Sequence, residues 1–205
     1  MNWLKEQNHK TRQFIRGEFS SQLWMAGVAF AVLAVLGFIL GCIFKDLTVE
    51  FISFFTGNLS NNGVIDADGT IHLIPLLFNN LRAAAFTILY GFIPFVFLPA
   101  LSLGINALLI GVFAAFYLTN GLSMLYFFAA IIPHGIFEFP ALILSIALGL
   151  YLCRVINDYV RHNTKGAVKD CLHGILRVFC LRAAPLFIIA SLFECFVTPF
   201  IVSFI

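Results

Sequence analysis

His134 and Glu138 stand four residues apart in IIPHGIFEFPALIL, between Pro133 and Pro140, inside a long apolar run. At helical pitch that spacing puts both side chains on one face. An imidazole beside a carboxylate can ligate a divalent metal, with zinc the first candidate, or relay protons. Glu194, in the last apolar run, offers a second carboxylate. Asn79, Asn80, Arg82, Asn106 and Thr198 complete the short list of polar residues singled out in the apolar segments. A mid-bilayer Arg or Asp costs about 2.5–3.5 kcal/mol on insertion scales, so such residues are expected to face a bundle interior and find partners. Three readings stay open. His134, Glu138 and Glu194 form a metal site, completed by Asn80 or Asn106. Alternatively they form a proton or ion path. In the third, Asn80, Arg82, Asn106, His134, Glu138 and Glu194 form a buried polar cluster that fixes helix packing, with Arg82 neutralising a glutamate. No H-E-x-x-H pair or activated nucleophile is evident, so the chain is not expected to be an enzyme.

The elements that must position these residues are membrane spans. Of 205 residues, 61% are hydrophobic and 11% charged, with 25 phenylalanines; soluble domains carry about 25% charged residues. Several runs reach the roughly 20 residues that cross a bilayer core. The expected fold is an all-α polytopic bundle of about five transmembrane helices: 21–44, near 76–98, 102–119, 123–153 and 183–205. The fourth segment, at 31 residues, would reach roughly 46 Å as one helix against a core of about 30 Å. A break at Pro133 and Pro140 is therefore expected. Interfacial amphipathic helices are expected at 1–20, within LTVEFISFF, and around Val168, Cys171, Leu172, Ile175, Leu176 and Phe179. The five cysteines lack C-x-x-C spacing and read as small buried hydrophobes.

Charge orients the chain. Lys5, Lys10, Arg12 and Arg16 lie before the first run, and Arg154, Arg161, Lys165, Lys169, Arg177 and Arg182 precede the last. The 45–75 segment has Lys45 against Asp46, Glu50, Asp66 and Asp68. The positive-inside rule makes the 1–20 amphipathic segment and the 154–182 loop with its amphipathic helix cytoplasmic and the 45–75 loop extracytoplasmic, with the C-terminus outside a single transmembrane domain, residues 1–205. Gly37-x-x-x-Gly41, with Gly111 and Ala115, leaves room for a homodimer. Nothing suggests nucleic-acid binding.

The segment PHGIFEFPALILSIALGLYL closely resembles the hallmark of the stage II sporulation protein M family. LLFNNLRAAAFTILYGFIPFVFLPALSLGINALLIG resembles that family's second and third spans, and IIASLFECFVTPFI its last. Leu-Tyr-Leu-Cys-Arg at 150–154 departs from the pattern, in which an arginine and glycine fall earlier. The resemblance implies a plasma-membrane scaffold acting in forespore engulfment and septal thinning. It would anchor the peptidoglycan-degrading stage II sporulation proteins D and P. The N-terminal part and the 45–75 loop match the family least, and partner choice is expected there. The rival expectation is a small transporter or metal-binding membrane protein using His134, Glu138 and Glu194.

Overall fold

The computed structural model describes residues 2–17, 19–66, 70–162 and 166–205; Asp68 and Lys165, which entered the charge argument, lie outside them. The described chain is helical throughout, apart from short turns and an isolated Ile65–Ile71 bridge. Its elements are α1 (Asn2–Arg16), α2 (Phe19–Ile43), α3 (Lys45–Asn61), α4 (Leu73–Leu89, prolonged by a 3-10 turn Tyr90–Phe92), α5 (Leu98–Thr119), α6 (Met124–His162), α7 (Ala167–Val178), α8 (Ala184–Leu192) and α9 (Thr198–Val202). Five helical runs are long and apolar enough to cross a membrane: Phe19–Ile43, Leu73–Phe92, Leu98–Thr119, Met124–His162 and Ala167–Val202.

Two expectations about segment boundaries are corrected. The fourth segment is not discontinuous: α6 is one helix of 39 residues with Pro133 and Pro140 inside it. Each proline removes one backbone donor. Breaking the helix in hydrocarbon would strand several N–H and C=O groups, each costing several kcal/mol, so the unbroken helix with two missing bonds is cheaper. The 154–182 segment is likewise not a loop. Its first part, to His162, belongs to α6. Its amphipathic α7 then runs through a π turn (Phe179–Ala183) directly into the last span. Pro185 cannot donate to Leu181 O, and the Arg182 guanidinium Nη1 donates to that carbonyl instead, at 3.0 Å.

The 45–75 stretch, expected as a loop with a short helix in LTVEFISFF, begins instead with the 17-residue helix α3, which folds back on α2 and α5. Thr48 Oγ1 donates to Gly41 O at 3.2 Å, and Phe55 meets Phe113 edge to face at 5.9 Å. α2 and α5 form the closest seam. A Cβ added at Gly111 would fall on the backbone of Ala34, Gly37 and Phe38, and one at Gly41 would sit 2.7 Å from the Ala115 Cβ. The small-residue stripe behind the homodimer expectation is thus consumed inside the chain.

α6 lies at the centre, with Ala141, Ile146, Ala147, Leu148 and Leu152 fully buried. α4 runs beside it at a constant offset of 62: a Cβ at Gly149 would meet the Thr87 carbonyl, Gly91 abuts Cys153, and Phe95 N–H donates to Asn157 Oδ1. α1 closes one end through Phe14, which stacks on Phe19 at 5.4 Å and meets Tyr151 edge-on. Cys153 and Cys171 are buried as expected, whereas Cys180 is exposed.

Candidate functional site: a His–Glu–Glu cluster between the last two spans

The unbroken α6 keeps His134 and Glu138 on one face, their Nε2 and Oε2 atoms 3.7 Å apart. The final span packs antiparallel to it. Phe137 and Phe193 rings lie 4.8 Å apart, and His134 Nδ1 is 3.4 Å from Thr198 Oγ1. Opposite Glu138 the chain forms a second π turn, Phe193–Val197, in which Thr198 N–H bonds to Phe193 O. Pro199 follows, so the carbonyl it would have served, Glu194 in the π register or Cys195 in the α register, loses its donor. The wider turn brings Glu194 and Thr198, four apart, against Glu138 and His134, four apart on α6. One ligating atom from each of His134, Glu138 and Glu194 lies within 4.8 Å of the others.

The other anticipated members go elsewhere. Arg82 does not neutralise either glutamate. It is exposed, its Nη2 donates to Asn79 Oδ1 on its own helix at 3.4 Å, and its guanidinium sits 5.9 Å from the Phe78 ring centre. The reason is helical phase: Arg82 shares a stripe with Ile74, Phe78, Phe86 and Tyr90, all outward-facing, while Ala84, Thr87 and Ile88 face the core. The Asn106 side-chain amide donates to Ser102 O one turn back, at 2.8 Å. Asn80 is the intermediate case. The offset of 62 sets it level with Leu142, one turn from Glu138, and its Nδ2 is buried without a hydrogen-bond acceptor.

Four polar residues emerge only in three dimensions. Asn157, inside the stretch read as a basic loop, holds the α4–α5 turn. Thr87 and Ser102 share a hydrogen bond of 2.9 Å between α4 and α5. Ser191 is fully buried with an unpartnered hydroxyl. Its place three residues before Glu194 was the available signal.

Chemically, the cluster offers one imidazole and two carboxylates in apolar surroundings. Among the described residues no Lys or Arg is paired with either glutamate. Two half-buried carboxylates so close together in apolar surroundings call for compensating positive charge.

These features define an all-α membrane helix bundle with a half-buried polar cluster between its last two spans. The chain matches the family model described as stage II sporulation protein M over residues 26–199, from within α2 to the start of α9, and belongs to that family. No curated protein and no solved structure matches it.

Proposed function

We propose that the protein is a multi-pass scaffold of the plasma membrane that anchors partners acting in envelope or peptidoglycan remodelling. Family membership supplies the sporulation context. The observation that carries the anchoring role is Arg82. It stands midway along the run Leu73–Phe92, on a face whose other members, Ile74, Phe78, Phe86 and Tyr90, suit lipid. Arginine there costs about 2.5–3.5 kcal/mol. A neighbouring transmembrane helix with a carboxylate at that depth would offset the cost and gain a partner-specific contact. The chain is oriented with its N-terminus and α7 in the cytoplasm and its C-terminus outside. Cell-wall hydrolases of the stage II sporulation D and P type are the partner class the sequence resemblance names, and they carry the chemistry.

Co-purification from membranes of the native host tests the reading. Arg82→Leu should lower partner recovery about tenfold, the equivalent of about 1.4 kcal/mol, while the protein remains monodisperse in detergent; Arg82→Lys should retain more. Undiminished recovery with Arg82→Leu would remove the basis for this interface. A second reading, ion or metal handling, is favoured by one observation, the convergence of His134, Glu138 and Glu194.

A further inference from the structure

We infer that His134, Glu138 and Glu194 bind one divalent transition-metal ion, zinc in preference to magnesium or calcium. The donor set comes first. Imidazole plus carboxylates suits zinc and its first-row neighbours, whereas magnesium and calcium favour all-oxygen shells. Zinc holds nitrogen and oxygen ligands at about 2.0–2.2 Å, so two donors on one ion are at most about 4.4 Å apart. The observed triangle, within 4.8 Å, closes onto an ion by side-chain movements of about an ångström. Neither carboxylate is held by another hydrogen bond or ion pair among the described residues, apart from the Glu138–His134 approach, so both can make that movement.

A second observation is independent of the triangle. Thr198 Oγ1 faces His134 Nδ1, leaving Nε2 toward Glu138. Metal-ligating histidines ordinarily have the ring nitrogen away from the metal held in this way, which fixes tautomer and orientation. A third concerns the space around the ion. Three protein ligands leave a fourth position for water or another small ligand. Two orphaned donors, Ser191 Oγ and Asn80 Nδ2, sit on α8 and α4, which pack on each other and on α6. Ser191 stands three residues before Glu194 and Asn80 one turn from the level of Glu138, so an ion-bound anion at that level would offer the kind of acceptor they lack.

The test uses the full chain in detergent, purified without chelator, loaded with one equivalent of zinc chloride and desalted. Elemental analysis should find about one zinc per chain, and the wild-type melting temperature should rise on zinc addition. Glu138→Gln and Glu194→Gln, chosen to preserve shape, should each lose the retained zinc and the thermal response while staying monodisperse and helical. Thr198→Ala should keep zinc with affinity about 10–100-fold weaker, and Arg82→Leu should bind as wild type, which separates this site from the partner interface. Failure of the wild-type protein to retain zinc, manganese or cobalt would overturn the site, as would zinc retained equally by both glutamine variants. Should either variant fail to fold, the wild-type retention and the Thr198→Ala affinity still decide.

Discussion

The Asn157 side-chain oxygen accepts the Phe95 N–H at 2.8 Å, in a turn where Phe95 and Phe97 both have positive φ, 67° and 50°. Non-glycine residues pay about 1–2 kcal/mol each for that region, so the turn persists because its surroundings hold it. Cys153 Sγ donates to Ile93 O at 3.5 Å, and Arg161 covers the Phe95 ring at 5.3 Å. Asn157→Ala should therefore destabilise the protein by about 1–3 kcal/mol, the cost of orphaning a buried donor, read as a lower unfolding midpoint in detergent. An unchanged midpoint would mean that the turn is held by the remaining contacts alone. At this scale the sequence was uneven. His134, Glu138 and Glu194 stand out because an apolar background makes every ionisable residue conspicuous. Asn157 did not, because it lies among charges that read as solvated loop. Arg82 was visible but misplaced, since nothing in its neighbours' identities says which way a uniformly apolar helix is turned.

Packing between elements depends on a few contacts where backbones touch. At the α2–α5 seam Gly111 meets the Ala34–Phe38 backbone with no room for a side chain. Gly111→Leu should cost at least the 1–3 kcal/mol typical of overpacking, seen as aggregation or a much lower fraction of monodisperse protein. Gly104→Leu, at a glycine with open space around it, should be tolerated. The GxxxG spacing was legible; its partner was not, because the same stripe fits a second copy or a neighbouring span equally well. The prolines misled for a related reason. Pro133 and Pro140 signal helix ends in water, where freed backbone groups find solvent, and that alternative is missing in lipid. Pro185 and Pro199 are accommodated differently again, each preceded by a π turn, a device with no composition of its own to read.

For the whole molecule, five apolar runs and their order were readable from hydropathy, and the family from the motifs that sit on α4 to α9. Charge asymmetry has a structural counterpart. Lys5, His9, Arg12 and Arg182 line one hollow of about 470 Å³ where α1 meets the foot of the last span, and Arg182 Nη2 donates to Asn8 Oδ1 at 2.9 Å. Basic groups at this level suit the anionic cytoplasmic leaflet. In a cysteine-free background, Asn62→Cys should react with an impermeant maleimide on intact cells, and Lys169→Cys only after permeabilisation. The reverse pattern would invert the proposed orientation.

The π turn at Phe193–Val197 lets the last span carry one residue more than a regular helix following the same path. Deleting Cys195, Phe196 or Val197 would let the α-helix close there, with Thr198 and everything beyond keeping their rotational phase. Inserting a further residue would instead turn everything beyond it by about 100°, and Thr198 would swing away from His134 although every side chain at the cluster remained. A related chain one residue shorter here would keep both the span and the site, whereas one a residue longer would keep the span and lose the site.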